Sequence, residues 1–230
     1  MSDLFNIATI VLAGLVYSTL QLNFGALILL YQSSMSQHSR RKTRYLAKSY
    51  IWGVGAVSFL LCCVSCFVIG LLFDGRFDAS VILILAGLLL GTAVVFFTTY
   101  YRKTKSTELW LPRSVTRFIS RKAKQVDDNY EAFSLGIISS FLELPLFISL
   151  YLIAANAILI LDVKFQILGI AVFVLFTIIP LFFLKLRIKS GKNAIDAQRW
   201  RLRHLTFLRI VSGFSFLLLA GYLIVFWVLK

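Results

Sequence analysis

Six runs of mostly apolar residues, each long enough to cross a lipid bilayer, constrain this chain more than any other feature of its sequence. A helix needs about 20 apolar residues to span the hydrocarbon core. Only 15% of the residues are charged, whereas soluble domains average about 25%. The sequence therefore predicts an all-α integral membrane protein with six transmembrane helices, at roughly 5–31, 49–73, 80–101, 132–159, 166–184 and 207–229.

The basic residues are concentrated in every second link between these runs. Twenty of the 24 Lys and Arg residues lie in the links at 32–48, 102–131 and 185–206, whereas the two short links hold only Arg76 and Lys164. Links rich in Lys and Arg stay on the cytoplasmic side of a membrane. We therefore expect the three long links inside and both termini outside. This topology accounts for the net charge of +14, and nucleic acid is not an expected partner.

The third link contains a segment with helical periodicity. After Pro112, the apolar residues Val115, Phe118 and Ile119 recur at helical spacing among Arg and Lys. Such a pattern is typical of a basic amphipathic helix that lies on anionic lipid. A solvated loop explains the same residues equally well. Membrane lipids are therefore expected partners of the basic links.

An internal repeat relates the first run to the fourth. A shift of 122 residues places Ser18 on Ser140 and the tetrapeptide Leu-Gln-Leu-Asn at 20–23 on Leu-Glu-Leu-Pro at 142–145. Two halves of three spans each have opposite orientations, which makes an inverted repeat, a common architecture of secondary transporters. The halves would be 1–101 and 132–230, joined by the basic linker 102–131. Chance similarity between two Leu-rich helices is the competing explanation.

Glu143 is the acidic residue that falls inside these six runs, near the middle of the fourth. An ionised carboxylate at the bilayer centre costs on the order of 3 kcal/mol on insertion scales, so intramembrane acids are candidate functional residues by default. Pro145 follows two residues later and removes a backbone donor. We therefore predict a helix unwound around 141–145, with free carbonyls beside a carboxylate, as a site for a cation or an ammonium group.

The repeat supplies the other candidate residues of the site. Gln21 and Asn23 are the matching polar residues in the first run, and Ser18 and Ser140 occupy equivalent positions one turn earlier. Gln21 is predicted to face Glu143 across the pseudo-two-fold axis. The alternative is that these two side chains only hydrogen-bond to each other and lock the helices together.

The remaining motifs are less specific. Cys62, Cys63 and Cys66 cluster in the second run, where we interpret them as small apolar side chains rather than as ligands of a soft metal. The sequence Gly87-Leu-Leu-Leu-Gly91 is typical of close helix packing, either within the chain or in a homodimer. The sequence shows no nucleophile–base–acid set, phosphate-binding loop or metal-ligand motif, so we expect neither an enzyme nor a cofactor.

The first and fourth runs resemble the LysE superfamily of small membrane exporters. The similar stretches are 14–31 and 133–151, together with the last run from Arg209 to Gly221. The resemblance implies six spans, an inverted three-plus-three repeat, export of a small solute and a bacterial inner membrane.

These observations together predict a secondary transporter. It would export a small cationic or zwitterionic solute by proton- or cation-coupled alternating access, with Glu143 as the coupling residue. The competing hypotheses are a non-transporting membrane subunit or scaffold and a lipid transporter.

Overall fold

The computed structural model describes residues 3–19, 21–37, 40–100, 113–188 and 191–228. Within these ranges the regular structure is helical and no strand occurs. The helices are α1 (Asp3–Ser18), α2 (Gln21–Gln37), α3 (Arg40–Leu72), α4 (Ala79–Val95), α5 (Arg113–Gln125), α6 (Asn129–Leu159), α7 (Val163–Arg187), α8 (Gly191–Arg203) and α9 (Leu205–Leu223). A π-helical turn extends α4 over Phe96–Tyr100, and another extends α9 over Ile224–Val228.

Five of these helices, α3, α4, α6, α7 and α9, are long and apolar enough to cross a membrane. They correspond to five of the six predicted spans. Their outer surfaces carry large apolar side chains, such as Phe67 and Leu218, which are 69% and 72% exposed. A lipid environment accommodates such surfaces without cost, whereas large apolar patches are rare on soluble monomers. The fold is compatible with a multi-pass membrane protein.

The predicted first span is instead a bent pair of helices. α1 and α2 are long and apolar enough to cross a membrane only when they are taken together, and they meet at an angle of 47°. The break coincides with two local hydrogen bonds, in which the hydroxyls of Ser18 and Thr19 donate to the carbonyls of Leu15 and Val16 in the preceding turn. Such bonds compete with the backbone N–H groups that would continue the helix.

The two longest helices, α3 and α6, pack closely along each other. Glycine makes this approach possible at two places. A Cβ atom at Gly53 would collide with the carbonyl oxygen of Phe133, and one at Gly136 would collide with that of Tyr50. Small residues at a helix crossing let the two backbones approach, which is how membrane helices gain packing energy.

The two basic helices α5 and α8 both pack on α2. Ile119 and Ala123 on α5 are buried, whereas Phe118, Arg121 and Lys124 are exposed. The hydroxyl of Ser33 on α2 donates to the carbonyl of Ala123 at 2.8 Å. The third link therefore contains a helix rather than a solvated loop, and part of its apolar face is covered by protein.

Candidate functional site

The break between α1 and α2 brings Asn23 against the buried acid Glu143. Asn23 lies in the first turn of α2, and its side-chain amide donates from Nδ2 to Oε2 of Glu143 at 2.7 Å. Both side chains are almost completely buried, with 3% and 1% of their surface exposed. A hydrogen bond to a carboxylate away from water is among the stronger neutral–charged contacts available to a protein.

Two hydroxyl groups complete the cluster around the amide of Asn23. Its Oδ1 accepts hydrogen bonds from Tyr50 on α3 at 2.9 Å and from Ser139 on α6 at 2.8 Å. The two hydroxyl oxygens are themselves 2.9 Å apart. Since an amide oxygen accepts and an amide nitrogen donates, these contacts orient the amide with its nitrogen towards Glu143. We call Asn23, Tyr50, Ser139 and Glu143 the polar cluster.

The position of the polar cluster follows from the close crossing of α3 and α6. Gly136 lies directly against the carbonyl of Tyr50, so the Tyr50 side chain starts close to the backbone of α6. Ser139 and Glu143 are four residues apart and therefore share one face of α6. The first turn of α2 approaches the same face. Three helices thus meet at the cluster, each contributing at least one polar side chain.

Not every residue predicted for the site belongs to the polar cluster. The hydroxyl of Ser140 donates to the carbonyl of Gly136 within its own helix. Ser18 bonds to Leu15 and lines a neighbouring cavity instead. The side chain of Gln21 lies outside the described residues, so its predicted contact with Glu143 stays a prediction.

The predicted unwinding around 141–145 is wrong, because α6 runs as one α-helix from Asn129 to Leu159. Pro145 is on its exposed face, away from the polar cluster. Proline is tolerated within a membrane helix because local adjustments of the backbone and neighbouring groups can satisfy the carbonyl that loses its partner.

Sequence reasoning missed Tyr50 and Ser139. For Ser139 a signal was present, since a residue four positions before Glu143 must share its face of the helix. The choice of Ser140 rested on the repeat alignment, which ignores that geometry. For Tyr50 no local pattern in the sequence indicated which of the many aromatic residues would reach the acid.

A layer of aromatic rings packs beyond the polar cluster, towards the end of α6 at Leu159. Phe147, one turn after Glu143, packs edge-on against Tyr17 with ring centroids 5.9 Å apart. Tyr17 also meets Tyr151 at 5.5 Å, and Tyr151 meets Phe173 at 5.4 Å. We call these four rings the aromatic layer. All four side chains are buried, so the layer closes the protein on this side of the acid.

On the opposite side of the α1–α2 break lies a cavity of about 620 Å³. Ser18, Thr19 and Phe24 line it from the break, and α7, α8 and α9 supply the other walls. Two arginines, Arg187 and Arg201, are among the residues that line this cavity. Its volume falls within the range of small-molecule binding sites, about 300–1,000 Å³.

The three cysteines belong neither to the polar cluster nor to the lining of the cavity. Cys62 is buried on α3, Cys63 and Cys66 are partly exposed, and all three are free thiols. Within the described residues, no three His, Cys, Asp or Glu side chains come together as a metal site would require.

Comparison of the chain with family models, with curated proteins and with solved structures finds no match. The resemblance to the LysE superfamily therefore stays a prediction from the sequence, and the function has to be argued from the geometry of the polar cluster and its surroundings.

Proposed function

We propose that this protein is a secondary transporter that exports a small cationic or zwitterionic solute by proton- or cation-coupled alternating access. The observation that carries the proposal is the burial of Glu143 in a hydrogen-bonded cluster at the break between two helices. Helix breaks at mid-membrane, next to a polar residue of another helix, are where secondary transporters place their substrate and ion sites.

The chemistry of the polar cluster suits a group that gains and loses charge. Asn23, Tyr50 and Ser139 are polar but neutral, so they stabilise a carboxylate without neutralising it. Holding that charge away from water costs on the order of 3 kcal/mol on insertion scales. A proton or a bound cation removes the cost, and a solute with an ammonium group can replace either. Glu143 therefore serves as the coupling residue in this proposal.

The pattern of helix contacts supports the inverted repeat. We take α1–α2, α3 and α4 as one half and α6, α7 and α9 as the other. A pseudo-two-fold axis would exchange α1–α2 with α6, α3 with α7, and α4 with α9. Under this exchange, the contact of α3 with α6 becomes that of α7 with α1. The contact of α4 with α6 becomes that of α9 with α1, and the contact of α2 with α3 becomes that of α6 with α7. The contacts α1–α6, α3–α7 and α4–α9 map onto themselves. All nine contacts occur, as a pseudo-two-fold axis requires. In this arrangement α1–α2 counts as the sixth span.

The surroundings of Glu143 support alternating access. The aromatic layer separates the acid from the side of the short links, whereas the cavity approaches the break from the side of the basic links. Glu143 is buried and no residue of the polar cluster lines the cavity, so the acid is closed from both sides in this conformation. Alternating access would open it to one compartment at a time, and with the basic links in the cytoplasm of a bacterial inner membrane a solute for export would enter from their side.

The homodimer is part of the same proposal. No atom of the described residues lies within 4 Å of a Cβ atom built at Gly87 or Gly91. The Gly-Leu-Leu-Leu-Gly motif on α4 is therefore open, and we propose that a second copy packs on it.

One observation favours the rival hypothesis of a scaffold or non-transporting subunit. The polar cluster joins α2, α3 and α6 by direct hydrogen bonds, and such bonds stabilise membrane helix bundles whether or not a solute passes. Glu143 would then be a structural acid.

The substitution Glu143→Gln distinguishes the two functions. Glutamine keeps the size of the side chain and an oxygen that accepts from Asn23, but it cannot bind a proton. Candidate solutes, chosen first from amino acids, polyamines and quaternary amines by thermal shift of the purified protein, are tested in vesicles with an internal pH-sensitive dye. We expect solute-dependent proton flux to be lost in Glu143→Gln while the melting temperature changes by only a few degrees.

Glu131→Gln is the matched control, because Glu131 is an exposed acid at the start of the same helix. Its flux should equal that of the unaltered protein. Unimpaired flux in a folded Glu143→Gln variant would refute the coupling role. Unfolding or aggregation of Glu143→Gln would support the scaffold instead.

A further inference from the structure

The cavity described above lies in a gap between α7 and α9. Both helices pack on α1, but no extended contact joins them to each other within the described residues. Leu184 and Ile188 line the cavity from the last turns of α7, and Leu208 and Val211 line it from the first turns of α9. α8, which connects the two helices along the chain, closes one end. The cavity is therefore a lateral gap of the bundle rather than a pore along its axis.

The lining of the gap is mostly apolar and includes two basic residues. Phe24 and Ile28 on α2 extend the apolar wall formed by α7 and α9. Arg187 and Arg201 supply two positive charges, and Asp196, an exposed residue, supplies one negative charge. The net charge of these lining residues is positive, so the cavity matches a molecule with an anionic group at one end and a hydrocarbon chain at the other.

Arg201 is held in place by the fold. Its side chain is only 7% exposed, which is unusual for an arginine. A Cβ atom at Gly25 would lie 2.7 Å from Nη1 of Arg201, so the guanidinium lies close to the backbone of α2 at Gly25. Because a guanidinium presents several N–H donors in one plane, a fixed arginine is well suited to bind phosphate oxygens.

The location of the gap indicates where such a molecule comes from. The helix surfaces on either side expose Leu186 and Phe207, at 68% and 57%. Trp200, half exposed on α8, also lines the cavity, and tryptophan is enriched at the boundary between hydrocarbon and headgroups. Because the cavity lies between two apolar helices that do not pack on each other, a molecule from the bilayer could enter it from the side.

We propose that this gap is a binding site for an anionic phospholipid of the leaflet that faces the basic links. The phosphate binds at Arg201 and Arg187, and one acyl chain enters between α7 and α9 along Leu184, Leu208 and Val211. This proposal goes beyond transport and does not depend on it, since a scaffold with the same gap would bind the same lipid. A lipid in this position touches the α1–α2 break through Phe24.

Trp200 allows the site to be tested directly. A variant with Trp52→Phe, Trp110→Phe and Trp227→Phe retains Trp200 as its single tryptophan. It is placed in nanodiscs of phosphatidylcholine that contain increasing mole fractions of chain-brominated phosphatidylglycerol or chain-brominated phosphatidylcholine. Bromine quenches tryptophan fluorescence on contact. We expect half-maximal quenching at a mole fraction about five-fold lower for phosphatidylglycerol, the preference expected from one basic residue at a membrane surface.

Two variants distinguish the cavity from lipid that merely gathers around a basic surface. Val211→Phe narrows the gap where the acyl chain would lie and leaves the surface charge unchanged, and Arg201→Gln removes the fixed guanidinium. Both should abolish the five-fold preference. Arg203→Gln, at an exposed position of α8 that does not line the cavity, should preserve it. Equal quenching by the two brominated lipids would overturn the proposal. So would a preference that survives Val211→Phe, because lipid would then bind outside the gap.

Discussion

Ser139 and Ser140 are adjacent on α6 and equally buried, and both hydroxyls lie 3.0 Å from the carbonyl oxygen of Gly136 in their own helix. Ser139 differs in that its hydroxyl also donates to the amide oxygen of Asn23 on another helix, at 2.8 Å. Removing the first hydroxyl takes away a contact between helices, and removing the second leaves the tertiary structure unchanged. Comparing alanine variants at the two positions therefore measures how much the hydrogen bond from Ser139 to Asn23 contributes to the stability of the helix bundle.

We expect Ser139→Ala to lower the free energy of unfolding by about 0.5–1.5 kcal/mol, the range of hydrogen bonds between membrane helices. Ser140→Ala should lower it by less than about 0.5 kcal/mol, because a buried serine bonded to its own helix adds little to tertiary stability. Unfolding in mixed micelles with increasing sodium dodecyl sulfate measures both. A larger loss for Ser140→Ala would contradict the assignment of Ser139 to the cluster.

At the scale of single residues, the sequence was sufficient to identify the acid but not its partners. Glu143 could be singled out because a charge within an apolar run is expensive wherever the helix lies. Asn23 was predicted as a site residue, but the repeat alignment paired Glu143 with Gln21, two positions earlier. Partners such as Tyr50 depend on which helices cross and where, and one chain in isolation carries no local signal for that.

At the scale of helices, apolarity and length correctly predicted α3, α4, α6, α7 and α9. The details within helices were less predictable. Pro145 suggested a break, but the helix continues through it. The real break follows Ser18, where small hydroxyl side chains bond to the preceding turn. Both outcomes depend on the balance between one local hydrogen bond and the packing of the whole helix, which residue type alone does not decide.

Glycine substitutions test the crossing of α3 and α6. Alanine at Gly53 or Gly136 would meet a backbone carbonyl of the opposite helix, and a backbone atom cannot move aside as a side chain can. We expect Gly53→Ala and Gly136→Ala each to destabilise the protein by about 1–3 kcal/mol, the usual cost of overpacking. The same unfolding titration in sodium dodecyl sulfate provides the measurement.

Gly70→Ala, on the same helix as Gly53, is the control for these variants, because no described residue of another helix lies within 4 Å of its Cβ position. Alanine is the better helix former by about 1 kcal/mol in peptides, so this variant should be neutral or slightly stabilising. If Gly53→Ala were as well tolerated as Gly70→Ala, α3 and α6 would not be in close contact at Gly53.

At the scale of the whole molecule, the composition alone indicates a membrane protein, and the structure adds which helices are in contact. The same pairs of helices are in contact when α1–α2, α3 and α4 are exchanged with α6, α7 and α9. If the inverted repeat that we propose is correct, its sequence signal would be weak because lipid-facing positions accept almost any apolar residue.

Thiol labelling in intact cells tests the six-span topology and the orientation together. The background carries Cys62→Ala, Cys63→Ala and Cys66→Ala. Single cysteines are then introduced one at a time. Two of them, Arg76→Cys and Asp162→Cys, lie in the short links, and two, Arg121→Cys and Arg203→Cys, lie in the basic helices. All four positions are exposed. Because basic links stay inside, a membrane-impermeant maleimide should label the first two in intact cells and the last two only after permeabilisation.

Asp3→Cys, at the exposed start of α1, decides whether the bent pair α1–α2 crosses the membrane. If it crosses, an odd number of crossings separates Asp3 from the first basic link, and Asp3→Cys is labelled in intact cells together with Arg76→Cys. If α1–α2 instead enters and leaves on the same side, Asp3→Cys is labelled only after permeabilisation. The chain then has five spans, the two halves are no longer equivalent, and the inverted repeat is excluded. We expect labelling in intact cells, since Asn23 reaches Glu143 in the interior of the bundle and the contacts of α1 match those of α6 in the exchange of the halves.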